Sequence, residues 1–343
     1  MKRPACTGRA DWAQREERSH PALLRIMTWL SLRLGRPLGR VLLRAIAGYF
    51  VLFSPAARKA SREYLGRALG RPARLRDIYR HVFHFAATIH DRIYLMNGQF
   101  DLFDIHVHGG EHFDAVFERG GGAFLIGAHL GSFEVVRAIG RTRPGLRVAV
   151  MMYEENARNI NAILATVNPA AKPNVISLGH PDSMLKAREH LDDGCMIGML
   201  ADRTFLHEAH DSLERLRFLG SPAAFPLGPL RMAAMLRRPV IFMTGLYRGG
   251  NRYDVHFEPL ADFSSVTRGE RAAHVDAALA RYVTLLEKHC RAAPYNWFNY
   301  FDFWHGANAA DAAGTAGAAP RASREPTPAP APVARGVPVA EES

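Results

Sequence analysis

The feature that most constrains the fold is a regular alternation of short apolar runs and helical segments from residue 104 onward. The apolar runs predict strands at 104–110, 123–128, 147–153, 174–178, 195–201, 239–246 and 253–258. The helical segments between and after them are predicted at 132–140, 156–167, 182–191 and about 270–290. Strands separated by helices of about 10 residues form mainly parallel sheets that are covered on both faces. We therefore predict an α/β fold with a mainly parallel central sheet flanked by helices.

The chain divides into three parts on either side of this alternation. Residues 1–100 show few strand signals and are predicted to be helical, with breaks at Gly35-Arg36-Pro37, Ser54-Pro55 and near Gly70. Residues 101–305 form the predicted α/β domain. Residues 306–343 are rich in Ala, Pro, Gly and Ser with almost no large apolar side chains, which predicts a disordered tail.

Charge is concentrated at the start of the chain. The net charge is +11, and the first 80 residues alone carry 18 Lys and Arg against 5 Asp and Glu. This segment is also apolar, and Arg33, Arg36, Arg40 and Arg44 are spaced to line one helical face opposite Leu and aromatic residues. Such a pattern is typical of helices that lie on an anionic membrane surface. We expect residues 1–100 to be a membrane-docking segment.

Other interpretations of the N-terminal segment fit less well. Its longest uncharged run, Ala45–Ala57, has 13 residues, whereas a spanning helix needs about 20. The first 20 residues lack the apolar core of a signal peptide. Nucleic-acid binding is disfavoured because no recognition module is present. An amphipathic helix that simply covers the core remains the alternative.

Several motifs for covalent or metal chemistry are missing from the sequence. It contains no GxSxG, GxxxxGK, HExxH or CxxC motif. Its three cysteines are odd in number and far apart, which excludes a disulfide scaffold and a four-cysteine zinc site. A His-x-His pair with a nearby third histidine is a conceivable metal set, but no fourth ligand suggests itself and we predict no metal site. That set is His106, His108 and His112.

Two His-x4-acid pairs are present, His106 with Glu111 and His129 with Glu134, and chance alone predicts about as many. Context separates them. His129 follows the apolar run 123–126, at a strand end that leads into a helix. Ligands bind at the carboxyl ends of parallel strands. We therefore predict that His129 is a general base and that Glu134, in the first turn of the helix, orients its imidazole.

A second polar pair, Asp202 and Arg203, directly follows the buried strand at 195–201. These side chains are too polar to enter a core without a partner. A structural ion pair between them is the plain interpretation, and a substrate-binding role is the functional one.

Together these residues resemble a known family. The run Gly127-Ala-His-Leu-Gly-Ser-Phe-Glu134, then Asp202 after an apolar strand, then Phe218-Leu-Gly220 and Pro226-Leu-Gly-Pro-Leu-Arg-Met-Ala233, is similar to the lysophospholipid acyltransferase superfamily. The branch it resembles is the late lipid A acyltransferases, over about residues 15–305. The resemblance implies transfer of an acyl group from a thioester to a lipid hydroxyl, at the cytoplasmic face of the bacterial inner membrane.

The resemblance also implies partners and further site residues. The donor is expected to be acyl carrier protein or acyl-CoA, and the acceptor a membrane lipid; no cofactor is expected. His129 and Glu134 would be catalytic, and the substrate would contact Tyr153, Asp202, Arg203 and Gly220.

The sequence departs from the family pattern at the predicted acceptor site. Members that acylate lipid A commonly carry Tyr-Arg-Pro where this chain has Tyr153-Glu154-Glu155, and Asp-Gln where it has Asp202-Arg203. Carboxylates at that place favour an acceptor that carries few phosphates. Two other classes stay open: a non-catalytic lipid-binding membrane protein and a lipid hydrolase.

Overall fold

A computed structural model describes residues 21–136, 143, 145–153, 174–180, 182–203 and 212–304. The predicted helix at 156–167, the pair Glu154 and Glu155, and the predicted tail at 306–343 lie outside the described residues. The side chains of residues 21–30, 32 and 34 are likewise outside the description.

Seven strands form the central sheet: β1 Asp104–His108, β2 Phe124–Gly127, β3 Val148–Tyr153, β4 Val175–Leu178, β5 Met196–Leu200, β8 Pro239–Gly249 and β9 Arg252–Asp262. Their order across the sheet is β1-β9-β8-β2-β5-β3-β4. All neighbouring pairs are parallel except β8 and β9, which form an antiparallel hairpin. The predicted mainly parallel sheet is confirmed.

Helices cover the sheet on both faces. The described ones are α1 Pro21–Phe53, α2 Pro55–Leu69, α3 Leu75–Met96, α4 Gly110–Glu118, α5 Ser183–Asp192, α6 Gly228–Met235 and α7 Arg271–Ala292. Successive residues of β2 are all buried and alternate between two hydrophobic clusters: Phe124 and Ile126 belong to one, and Leu125 to the other. A strand buried on both sides needs a continuous apolar run, which is why this run could be read from the sequence.

A small antiparallel hairpin between β5 and α6 was missed by the sequence analysis. It consists of β6 Leu213–Phe218 and β7 Ser221–Pro226. Leu219 and Gly220 form its two-residue turn, and both have positive φ, 49° and 87°. Two positive φ values match the twist of a hairpin. The prolines in the second strand, which argue against a central strand, hid this element from the pattern.

The helix α1 is interrupted where the sequence predicted a break, because Gly35 has non-helical angles, φ 76° and ψ 164°. Beyond it, Arg36 and Arg40 contact the fully buried carboxylate of Asp91 on α3, at 2.7 and 2.5 Å. The hydroxyl of Tyr253 donates to the same carboxylate at 2.7 Å. A buried carboxylate requires such partners. Two of the four predicted membrane-facing arginines therefore bind within the protein, which corrects the predicted basic stripe.

The outer surface of α1 is largely apolar, although Arg33 and Arg44 are also exposed on this helix. Its inward positions, Leu43, Ala47 and Val51, are at most 6% exposed and are spaced by four residues. Large apolar side chains around them are about half exposed or more: Leu38, Val41, Leu42, Tyr49, Phe50, Leu52 and Phe53. We call these seven residues the apolar outer face. A helix that is apolar on its solvent side needs something else to cover it.

No described helix is by itself long and apolar enough to cross a membrane. The pair Gly35–Phe53 and Pro55–Leu69, bent by 97°, would meet the length and composition of a broken span.

Candidate active site

The candidate site lies at the carboxyl ends of two adjacent strands. β2 and β5 are parallel neighbours, with Gly127 paired to Leu200 at their ends. His129 and Asp202 each lie two residues beyond these paired positions, so the same register brings their side chains together. Crevices at this edge are where open α/β sheets bind ligands.

His129 and Asp202 form a hydrogen-bonded pair. Nδ1 of His129 lies 2.8 Å from one carboxylate oxygen of Asp202, and the backbone N–H of His129 donates to the other at 3.0 Å. The indole N–H of Trp297 also donates to that second oxygen, at 2.9 Å. Asp202 is only 1% exposed. Its carboxylate is thus held by three donors and fixes the imidazole.

The electrostatics suit a neutral imidazole beside a charged carboxylate. Burial works to raise the pKa of Asp202, but His129, Arg203 and Trp297 together lower that pKa to about 2. Burial lowers the pKa of His129, against the opposing effect of Asp202. Near neutral pH, Nδ1–H of the neutral ring can donate to the carboxylate, which leaves Nε2 as a proton acceptor. The His129 side chain is 31% exposed, so a substrate can approach it.

A C-terminal segment that follows α7 closes the site from one side. The backbone N–H of Phe298 donates to the carbonyl of His129 at 2.8 Å, and that of Gly131 donates to Asn296 at 2.9 Å. The guanidinium of Arg203 donates to the carbonyl of Phe298 at 3.1 Å. The sequence analysis missed this segment. The sequence feature that could have revealed it is the aromatic run Tyr295-Asn-Trp-Phe298, which is too apolar for a solvent-exposed terminal tail.

The loop after His129 lies directly against β8. The N–H of Ser132 donates to the carbonyl of Gly245 at 2.7 Å. Gly131 has a φ of +77°, and a Cβ there would lie 2.0 Å from that carbonyl oxygen. Glycine is therefore required at 131 both for its backbone angle and for this close approach. The loop that carries His129 is fixed to the sheet by backbone contacts.

Glu134 does not take the position that the sequence predicted for it. Its carboxylate pairs with Arg92 of α3 at 2.9 Å and accepts a hydrogen bond from Ser132 at 3.5 Å. The carboxylate that contacts the imidazole belongs to Asp202. The parallel register explains the difference, because it places the end of β5 beside His129, whereas Glu134 extends toward α3.

The other predicted substrate-binding residues lie in different parts of the fold. Arg203 follows Asp202, interacts electrostatically with its carboxylate and also lies over the ring of Phe301, at 5.5 Å. Tyr153 ends β3, on the same edge of the sheet as His129. Gly220 lies in the β6–β7 turn, where its positive φ serves the hairpin.

The second His-x4-acid pair is not assembled. His106 contacts Asp104 at 2.9 Å, whereas Glu111 lies 3.8 Å from His112. All of these side chains are about half exposed or more. Spacing alone was therefore uninformative, as the chance frequency suggested.

Enzymes that remove a proton from a bound hydroxyl or water commonly use such an imidazole–carboxylate pair. The chain belongs to the bacterial lipid A biosynthesis acyltransferase family, whose model matches residues 22–304. A search of curated proteins found no match to the sequence. The family makes this protein an acyltransferase that acts on a lipid.

Proposed function

We propose that the protein transfers a fatty acyl group from a thioester to a hydroxyl of a membrane glycolipid or a related lipid. The observation that carries the proposal is the imidazole of His129, held through Nδ1 by Asp202 and accessible at the sheet edge. A fixed tautomer with a free Nε2 is what a general base for a hydroxyl requires.

In the proposed reaction, Nε2 of His129 takes the proton as the acceptor oxygen attacks the thioester carbonyl carbon. The carbon–sulfur bond then breaks, and the departing thiolate receives the proton from the imidazolium. Asp202 positions the ring and stabilises its transient positive charge, as the carboxylate does in other imidazole–carboxylate pairs. The chemistry requires no covalent acyl-enzyme.

Glu134 supports the site in a different way from the one the sequence predicted. Its ion pair with Arg92 joins the helical turn 133–136 to α3. The N–H groups of Gly131 and Ser132 are already bonded to backbone carbonyls, which removes them as donors to the thioester oxygen. The N–H groups of the turn 133–136 remain the candidates for that task. Glu134 would hold this turn in place.

The donor is proposed to be acyl carrier protein or acyl-CoA, since a basic protein suits an acidic donor. The proposed place of action is the cytoplasmic face of the inner membrane. The apolar outer face of α1 supports membrane docking there, because burial in lipid would remove its exposed side chains from water.

The acceptor is proposed to carry few phosphates. Tyr153 ends β3 at the edge that also carries His129, and Glu154 and Glu155 follow it in sequence. Carboxylates beside an acceptor head group would repel a phosphorylated sugar. This part of the proposal depends on the sequence and on the position of β3.

A competition assay tests the proposal. Purified protein in detergent receives an acyl thioester with a bis-phosphorylated lipid A precursor and a phosphate-poor hydroxyl-lipid together. We expect acylation of both lipids with preference for the second, and a shift toward the first in Glu154→Arg. Preference of the unmodified protein for the bis-phosphorylated precursor would refute the acceptor assignment alone. Release of free fatty acid without lipid acylation would indicate a hydrolase. Absence of any thioester turnover would indicate a lipid-binding protein without catalytic activity.

A further inference from the structure

A second group of polar side chains lies on the outer pair of strands, outside the candidate active site. His108 is the last residue of β1, and Asp254 and His256 lie on its parallel neighbour β9. His108 pairs directly with His256, and Asp254 is two residues earlier on the same strand. Because side chains alternate along a strand, Asp254 and His256 share one face of the sheet.

The three side chains converge. One ring nitrogen of each histidine and one carboxylate oxygen of Asp254 lie within 4.8 Å of one another. The rings of His108 and His256 are stacked, with centroids 4.6 Å apart and planes 13° apart. The other charged groups at the carboxylate are Arg248, at 2.7 Å from Oδ2, and Arg252, at 3.4 Å from Oδ1.

Two atoms of this group are buried without a hydrogen-bond partner among the described residues. They are Oδ1 of Asp254 and Nε2 of His256. Asp254 is itself only 6% exposed. Buried polar atoms are nearly always satisfied in folded proteins, and leaving one unsatisfied costs about 1–3 kcal/mol. A bound species at this group would satisfy such atoms.

We propose that His108, Asp254 and His256 bind a zinc ion. Two imidazole nitrogens and one carboxylate oxygen are ligands that zinc prefers, and three protein ligands leave a fourth position for water. In a tetrahedral zinc site the ligand atoms are about 3.3 Å apart, so the side chains must approach one another by at most about 1.5 Å. His108 is exposed at a strand end and can rotate to do so.

The surroundings suit this role. Arg248 holds Oδ2 of Asp254 and leaves Oδ1 for the ion, as outer hydrogen bonds to ligand carboxylates commonly do. Arg252 makes only the longer charge contact, and its side chain is 53% exposed, so it can move into solvent. Because β1 is the end strand of the sheet, the ion would join this edge strand to β9. The ion would stabilise this end of the sheet and would take no part in acyl transfer.

Isothermal titration tests the site on full-length, tag-free protein in detergent, freed of metal by dialysis against EDTA and titrated with zinc chloride. We expect one ion per chain, with binding at least tenfold weaker in His256→Gln and in His108→Gln. The matched control, His112→Gln, changes an exposed histidine outside the group and should bind as the unmodified protein does.

Thermal unfolding supplies a second measurement. Zinc should raise the Tm of the unmodified protein and of His112→Gln, because an ion that binds only the folded state stabilises it by mass action. His108→Gln should show no such rise, and as a change at an exposed position it should still fold. Absence of stoichiometric binding, or equal binding by all three variants, would overturn the proposal and indicate that water satisfies the buried atoms.

Discussion

At the scale of single residues, the site depends on one imidazole. His129→Ala should fold normally and lose acyl transfer by about 10²–10⁴-fold, because this is the typical loss when a general base is removed. His106→Ala, at an exposed histidine of the unassembled pair, is the matched control and should keep its activity. Turnover of both purified variants with a saturating acyl thioester gives the comparison. Near-normal turnover by His129→Ala would rule out the general-base mechanism.

Asp202 and Glu134 can be told apart by the pH dependence of kcat/KM. The base must be neutral, and the pKa of His129 is lowered by burial, so activity should rise with pH through a midpoint below 6.5. Asp202→Asn removes the charge that stabilises the imidazolium, so the midpoint should fall further and the plateau rate should drop.

Glu134→Gln provides the contrast. It contacts Arg92 rather than the ring, so it should lower the rate without moving the midpoint. If Glu134→Gln shifts the midpoint and Asp202→Asn does not, Glu134 is the partner of the imidazole in the working enzyme.

At the scale of elements, α1 should control attachment to the membrane. Leu52→Ser with Phe53→Ser replaces two side chains that are 65% and 67% exposed at the end of the helix. Burial of such side chains contributes about 1.5–3 kcal/mol each, so partitioning onto anionic vesicles should fall at least tenfold. Vesicle co-sedimentation measures this.

A matched control is Leu185→Ser on α5, where the leucine is 63% exposed. It should bind vesicles as the unmodified protein does. Equal binding by the Leu52 and Phe53 variant would mean that the apolar outer face does not contact lipid.

At the scale of the whole molecule, buried histidines make the fold sensitive to acid. Burial lowers the pKa of His90 to about 4, and neither of its ring nitrogens has a hydrogen-bond partner among the described residues. Because the folded-state pKa of His90 is lowered, the unfolded chain binds the proton at a higher pH than the folded protein does. The contribution of the neutral His90 to the free energy of unfolding is therefore complete above about pH 6.5 and is lost as the pH falls from 6.5 to 4.

Replacing this histidine should therefore reduce the loss of stability in acid. Between pH 7 and pH 5, the free energy of unfolding of His90→Leu should decrease by about 2 kcal/mol less than that of the unmodified protein. His274→Leu, at an exposed histidine of α7, is the control and should match the unmodified protein. Urea denaturation at the two pH values gives the answer, and identical losses in all three proteins would contradict it.

Features that depend on local sequence pattern could be predicted, whereas contacts that depend on long-range strand register could not. The apolar runs at β2 and β5 are buried on both faces, so the strands, their parallel arrangement and the position of His129 could be predicted. The choice of Asp202 over Glu134 as the partner of the ring depends on which strand lies beside β2, which spacing along the chain does not contain. The pairing of Arg36 and Arg40 with Asp91 is a contact between helices, and a helical periodicity cannot distinguish it from a face in contact with lipid.

Because residues 296–298 contact the candidate site, the site can be completed only late in synthesis of the chain. His129 and Asp202 leave the ribosome well before Trp297, yet the indole of Trp297 completes the bonding of the Asp202 carboxylate. A nascent chain that has not reached this residue has His129 and Asp202 without the indole donor that helps to hold the carboxylate. The candidate site is therefore completed only when nearly the whole α/β domain has been made.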